Sequence, residues 1–236
     1  MSFAPALHAE WIKIRTLRSL VGSLCAVLLA TAAFSALASA DADASDPLYS
    51  AFFGVSFGQI AAIAFGATAV SSEFQGGALW LTLAAVPDRR RWFAAKVTAI
   101  GMPVLAVGLV TGLVTLVLAK TALGTDGPTW TEGLRGAVGC GLYLTSMALL
   151  AAGLAALLRS GIATLSILIP FLLIVSFVVG DVSGGVADFL PDRAGQVVLH
   201  GTWDGTLGPW TGLAVTGLWT AAVLLAGGWS VHRRDA

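Results

Sequence analysis

Six long stretches without a charged residue constrain this chain more than any other feature of its sequence. Each stretch has at least twenty residues, and a helix needs about 20 apolar residues to cross the hydrocarbon core of a bilayer. The chain is 57% apolar and 11% charged, against about 25% charged residues in a typical soluble domain. We therefore predict an all-α integral membrane protein with six transmembrane helices. The stretches are 19–40, 47–72, 97–119, 136–158, 160–180 and 205–232, with the last span at about 208–231.

The segments between these stretches are too short for a second folded unit, because independent domains seldom fall below about 40 residues without disulfides or metals. We therefore expect one transmembrane domain over residues 1–236. Cys25 and Cys140 both lie within apolar stretches and are expected to pack rather than pair. The formal net charge of zero gives no support to a nucleic-acid partner.

Basic residues are distributed unequally between the alternate loops. Cytoplasmic loops retain Lys and Arg, so the side with ten of them is predicted to be cytoplasmic, and the side with three is predicted to be external. Both termini then lie in the cytoplasm, and the protein is a multi-pass protein of the cytoplasmic (inner) cell membrane. The ten are Lys13, Arg15, Arg18, Arg89, Arg90, Arg91, Lys96, Arg159, Arg233 and Arg234, and the three are Lys120, Arg135 and Arg193.

The first span permits a second interpretation. Ala38-Ser39-Ala40 before Asp41 resembles the cleavage site of a secretory signal. An apolar run of 22 residues exceeds the 7–15 residues of a signal's apolar region, which favours retention as a helix. Cleavage would leave five spans and an external N-terminus.

The N-terminal segment 3–18 carries an apolar stripe at helical spacing, formed by Phe3, Leu7, Trp11 and Ile14. Such a segment can lie in the headgroup plane with its cations among anionic lipids, so we predict an in-plane helix. Glu10 interrupts the stripe. A basic leader that only orients the chain is the alternative interpretation.

The second loop, residues 73–96, has fourteen uncharged residues between Glu73 and Asp88, a length that suits a segment at the interface better than a span. Gly76-Gly77 permits a sharp change of direction, and Pro87 ends the helix that follows. We expect a short cytoplasmic helix between these breaks. A loop that only obeys the positive-inside rule would explain the arginines but not Glu73.

The pattern of this loop resembles the connection between the second and third helices of the ATP-binding-cassette (ABC) type-2 exporter permeases. The N-terminal Glu10-Trp11-x-Lys13-x-Arg15 is similar to the in-plane segment of the same family, and the six-span layout covers essentially the whole chain. The matching loop positions are Glu73-Phe74, Gly77, Leu83-Ala84, Pro87, Arg89-Arg90 and Ala95-Lys96.

The resemblance implies a permease subunit that dimerises with a second permease copy and receives force from a separate ABC ATPase subunit. It assigns coupling to Glu73, Gly77, Pro87 and Arg89, and the in-plane segment to Trp11, Lys13 and Arg15. ATP and Mg are expected on the partner, with no cofactor on this chain. The sequence agrees that ATP binds elsewhere. A phosphate-binding loop has a glycine directly before its Lys-Ser or Lys-Thr pair, and in this chain the only such pair, Lys120-Thr121, follows Ala119.

Other functional classes fit less well. No predicted span contains Asp, Glu, Lys or Arg, whereas ion-coupled carriers place such groups within the membrane. Gln59 is the most polar residue within a span, and it is expected to hydrogen-bond another helix or to line a pathway. Pro103 and Pro170 can kink their helices, for packing or as hinges. The scattered histidines 8, 200 and 232 predict no metal site, and no hydrolase motif supports an enzyme.

The external segment from Asp181 to Asp204 is too apolar for a freely solvated loop. We expect it to pack back onto the outer membrane face, and the resembled family often has short re-entrant helices here. The sequence as a whole thus predicts an ABC permease subunit that exports a small or amphipathic compound such as a drug, antibiotic or peptide. The alternative is a non-transporting polytopic membrane protein, such as an immunity or assembly factor.

Overall fold

The computed structural model describes residues 3–39, 46–75, 88–124, 127–175, 184–203 and 205–233. Within these ranges every regular element is helical. We name the α-helices in chain order: α1 Phe3–Thr16, α2 Arg18–Ala38, α3 Pro47–Phe52, α4 Val55–Ser71, α5 Arg89–Leu123, α6 Trp130–Leu158, α7 Gly161–Pro170, α8 Pro191–Gln196 and α9 Pro209–Arg233.

Five helical units are long and apolar enough to cross a membrane, which is the pattern of a multi-pass membrane protein. They are α2, the continuous unit Pro47–Phe74, α5, α6 and α9, and they coincide with predicted spans one to four and six. The predicted fifth span, 160–180, contains the shorter α7 and a π-helical turn, Phe171–Val175. Residues 176–180 lie outside the described part, so the sixth crossing and the cytoplasmic termini stay predictions.

Helix α6 is the central element of the bundle, since α4, α5 and α9 all pack against it. Close approach depends on small residues in α5: a Cβ at Gly108 would lie 2.9 Å from the Cα of Gly141. A Cβ at Gly112 would lie 2.7 Å from the Cα of Ala137. Because lipid supplies no hydrophobic drive between helices, such backbone contact is a main source of their association. At Gly108 and Gly112 the close approach of α5 to α6 therefore depends on the absence of a side chain.

The segment 184–203 packs against the helical bundle. It forms a 3-10 helix, Gly184–Phe189, followed by α8 and a second 3-10 helix, Val197–Leu199. Val198 is fully buried, and a Cβ on Gly139 of α6 would meet its methyl groups. This segment therefore closes one end of the bundle, which we call the α8 end.

Helix α1 follows the predicted segment but packs through a different face. Its buried residues are Ala6, Glu10 and Ile14, while Phe3 and Trp11 are exposed. The predicted stripe of Phe3, Leu7, Trp11 and Ile14 is thus divided between the protein and its surroundings. Glu10, which seemed to interrupt an apolar stripe, lies instead at the centre of the packed face.

Candidate functional site

Four charged side chains from three separate elements form one buried cluster, which we call the charge cluster. Lys13 Nζ donates to Glu73 Oε1 at 2.8 Å and to Glu10 Oε1 at 3.1 Å. Lys96 Nζ donates to Glu73 Oε1 at 2.7 Å and also to Glu10 Oε2. Each carboxylate therefore binds both ammonium groups, and the cluster as a whole is neutral.

Burial makes this cluster unusual. Glu10, Glu73 and Lys96 are each 3% exposed, and acidic and basic side chains are almost never buried to this extent unless they are paired. The Lys13 side chain is 37% exposed, so it closes the cluster on the solvent side. Burial acts to lower the pKa of Lys13, but its hydrogen bond to Glu73 and the charges of both glutamates outweigh this and raise the pKa.

Local structure explains why these residues meet. Glu10 projects from the packed face of α1, and Glu73 lies in the 3-10 turn Ser72–Phe74 that ends α4. Asp88 begins α5 by accepting hydrogen bonds from the backbone N–H groups of Arg90 and Arg91. Lys96 then lies in the second turn of α5 and faces the bundle. The cluster thus joins α1 to the end of one membrane helix and to the start of the next.

A second contact closes the same end of the bundle. Arg89 Nη1 donates to the backbone carbonyl of Val231 at 3.0 Å, which joins the start of α5 to the end of α9. The guanidinium of Arg159 lies 5.6 Å from the centre of the Phe74 ring. The ends of α4, α5, α6 and α9 are therefore connected near the charge cluster, and we call this the cluster end.

The structure brings together some of the site residues that the sequence predicts and separates others. Glu73 and Lys13 meet directly, and Arg89 lies at the same end of the bundle but bonds α9. Trp11 and Arg15 are exposed on α1 and take no part in the cluster. Gly77 and Pro87, together with the predicted short helix, lie outside the described residues.

Two members of the cluster were not among the predicted site residues. Glu10 was noted as an interruption of the stripe, and Lys96 as part of the Ala95-Lys96 pattern and the basic loop. A usable signal was present: an acid within an apolar stripe needs a buried cation, and Lys96 immediately precedes an uncharged stretch. Neither feature identifies the partner, because the pairs are 86 and 23 residues apart in the chain.

The α8 end of the bundle contains a cavity of about 440 Å³, within the size range of ligand pockets, about 300–1,000 Å³. Its walls are mixed. Phe57, Leu172 and Val197 supply apolar surface, while the polar lining includes Tyr49, Gln59, Asp188, Asp192, Arg193 and His200.

Gln59 at this cavity is part of a buried hydrogen-bond chain. The side-chain amide of Gln196 donates to the Tyr143 hydroxyl at 3.0 Å, and that hydroxyl donates to Gln59 Oε1. Gln59 of α4 is thus bonded to α6, and it accepts this bond through its carbonyl oxygen. Its amide nitrogen has no partner among the described residues and remains able to donate to a molecule in the cavity.

The rim of the cavity is held by Asp46 and His200. Both carboxylate oxygens of Asp46 accept from the backbone N–H of Gly201, at 3.1 and 3.0 Å. His200 Nδ1 lies 3.3 Å from Asp46 Oδ2, and the His200 ring stacks on Tyr49 with centroids 4.3 Å apart. The cavity therefore has a preformed rim, made by residues that are 154 positions apart in the chain.

The two prolines lie in different settings. Helix α5 continues through the buried Pro103, whereas Pro170 ends α7 and is followed by the π-helical turn. A proline offers no N–H to the carbonyl four residues earlier, which agrees with the change of helix type at Pro170.

Comparison with known protein families finds no matching family, and comparison with curated proteins finds no matching protein.

Proposed function

We propose that this chain is the permease subunit of an ABC exporter, in which a separate ATPase subunit hydrolyses ATP and this chain conducts a small or amphipathic compound. The observation that carries the proposal is the charge cluster. It links an N-terminal helix outside the spans to the ends of two consecutive membrane helices, α4 and α5. A partner that moves α1 or the 76–87 connection would thereby move both helices.

Ion pairs suit this role because they resist separation. Removing one partner of a buried pair costs about 3–5 kcal/mol, so pulling α1 away from Glu73 and Lys96 is strongly opposed. A pull on α1 is therefore transmitted to α4 and α5, because breaking the ion pairs of the cluster would cost more free energy than moving the three helices together. The half-exposed Lys13 gives the cluster a side that a cytoplasmic partner can approach.

The cavity at the α8 end supplies the other half of the proposal. It combines apolar walls with a free amide donor on Gln59, which matches an amphipathic compound that carries an acceptor oxygen. The predicted spans carry no ionisable group for a proton relay. Energy would therefore come from the partner ATPase through the charge cluster, and the cavity would receive the compound during export.

A purification experiment tests this function. The full chain, isolated from its native membrane in mild detergent, should retain an ATPase subunit and hydrolyse ATP. Lys13→Gln should lower that hydrolysis, because it removes the tie between α1 and Glu73 while Lys96 still neutralises Glu73. Lys120→Gln is the matched control, since it removes the same charge at the opposite end of α5, and it should leave hydrolysis unchanged.

Two results would reject the proposal. A chain that purifies without any nucleotide-binding subunit, from membranes in which it is abundant, would favour the immunity or assembly factor. Equal effects of the Lys13 and Lys120 substitutions on ATP hydrolysis would show that the charge cluster has no particular part in coupling. Thermal unfolding of each variant in detergent separates a loss of coupling from a loss of folded protein.

A further inference from the structure

A groove lies between α5 and α9 at the cluster end of the bundle, and the transport proposal gives it no role. It has a volume of about 370 Å³ and is apolar along most of its length. Its walls include Phe93, Val97, Leu225 and Trp229, and its mouth is formed by Arg90 and His232. We call this surface the α5–α9 groove.

The floor of the groove depends on a glycine. A Cβ at Gly228 would lie 3.1 Å from two carbons of the Phe93 ring, so that ring lies almost directly on the α9 backbone. Leu225 and Trp229 are 75% and 59% exposed. The groove is therefore a shallow apolar channel that opens to the surroundings of the bundle rather than to its core.

The mouth carries positive charge that no described residue neutralises. Arg90 is exposed, and its side chain makes no hydrogen bond or ion pair with the residues that the structure describes. The nearby carboxylate of Asp88 pairs with Arg91 at 2.9 Å. Arg233 lies with its guanidinium 4.3 Å from the centre of the Trp229 ring, which adds a second cation at the same end.

The mouth is held in place by other contacts. The bond from Arg89 to the Val231 carbonyl connects the two helices next to the groove. Arg90 therefore starts from a fixed backbone position, and its guanidinium can offer parallel N–H donors to a phosphate. An apolar channel below such a cation matches one kind of molecule, which has an anionic phosphate at one end and a hydrocarbon chain at the other.

We infer that the α5–α9 groove binds an anionic phospholipid, with its phosphate at Arg90 and His232 and an acyl chain along Phe93, Val97 and Leu225. Charge complementarity selects this occupant. The cations at the mouth favour a net negative headgroup, and the only described carboxylate there, Asp88, is already paired with Arg91. This inference is independent of the ATPase partner and of any transported compound.

Native mass spectrometry of the full-length chain, released from detergent with added phosphatidylglycerol or phosphatidylcholine, tests the inference. The chain should retain phosphatidylglycerol in preference to phosphatidylcholine. Arg90→Gln should weaken phosphatidylglycerol binding about tenfold, the effect of losing one charge-assisted contact, and Arg90→Lys should weaken it less. Arg18→Gln removes an exposed arginine outside the groove and should bind like the unaltered chain.

A second variant tests the channel itself. Ala94 is exposed and lines the groove, so Ala94→Trp should fill the channel without disturbing the core, and it should reduce the binding of both lipids. Equal retention of the two lipids by the unaltered chain would overturn the inference. Equal weakening of phosphatidylglycerol binding by the Arg90 and Arg18 substitutions would show that general surface charge, not the groove, attracts the lipid. If the unaltered chain is an oligomer and Ala94→Trp dissociates it, the groove is an interface with a second copy of this chain instead.

Discussion

Replacing Glu73 by Gln is the most direct perturbation of the charge cluster. Gln has nearly the same shape and can still form hydrogen bonds, so the substitution removes little more than the negative charge. In the native cluster, Glu73 Oε1 accepts hydrogen bonds from Lys13 Nζ at 2.8 Å and from Lys96 Nζ at 2.7 Å. After the substitution, Glu10 would be the only carboxylate for both lysines, and the cluster would carry a net positive charge.

The expected loss of stability follows from burial. Glu73 and Lys96 are each 3% exposed, and removal of one partner from a buried ion pair costs about 3–5 kcal/mol. The pair of Arg91 and Asp88 is a suitable comparison, because its side chains are 58% and 46% exposed. Exposed pairs contribute about 0–1 kcal/mol, so Arg91→Gln should have little effect on the free energy of unfolding.

Unfolding of the purified chain by SDS in mixed micelles, followed by far-UV circular dichroism, measures these differences. A third variant, Glu73→Gln with Lys96→Met, restores neutrality and should recover most of the lost stability. If Glu73→Gln costs no more than Arg91→Gln, the cluster is solvated and the reasoning from burial is wrong. A double variant that is less stable than Glu73→Gln would contradict the argument from charge balance.

Four further predictions concern packing, the hydrogen-bond chain, pH and topology. In the same assay, Gly66→Ala should destabilise by more than about 2 kcal/mol, because its Cβ would overlap a carbonyl oxygen of α6, whereas Gly22→Ala meets nothing within 4 Å and should be neutral or stabilising. Tyr143→Phe removes the hydroxyl between two glutamines and should cost about 1–3 kcal/mol. Since the pKa of Lys13 is raised, its stabilising contribution should persist up to about pH 10.5 and disappear only as pH rises through the higher folded-state pKa, as measured by unfolding at successive pH values. Reporter tags fused to the two ends should be accessible from the same, cytoplasmic side, and opposite sides would contradict six crossings.

Part of the candidate site could be predicted from the residue pattern. The resemblance to the ABC permeases assigned Glu73 to coupling and Lys13 to the in-plane segment, and the positive-inside rule alone left Glu73 unexplained. Gln59 was selected as the most polar residue within a span. Only for Gln59 did an unusual residue type in an apolar setting predict a hydrogen-bond partner, because an unpaired polar group there is costly.

The partners themselves could not be predicted in the same way. Glu10 is 86 residues from Lys96, and Gln59 is 84 residues from Tyr143. Helical periodicity indicates which residues share a face of one helix, but it does not determine which helix that face meets. The stripe on α1 illustrates the difference, since the face that packs is centred on Glu10 rather than on the apolar residues alone.

The sequence by itself determined the class of this protein and the positions of five of its long helices. Those properties depend on the length of each apolar stretch, because each stretch must by itself be long enough to cross the hydrocarbon core of the bilayer. Only the tertiary structure decided that Glu10, Lys13, Glu73 and Lys96 meet, and that Gln59, Tyr143 and Gln196 form one chain. Such contacts depend on how closely α1, α4, α5 and α6 pack, and that packing is a property of the whole bundle.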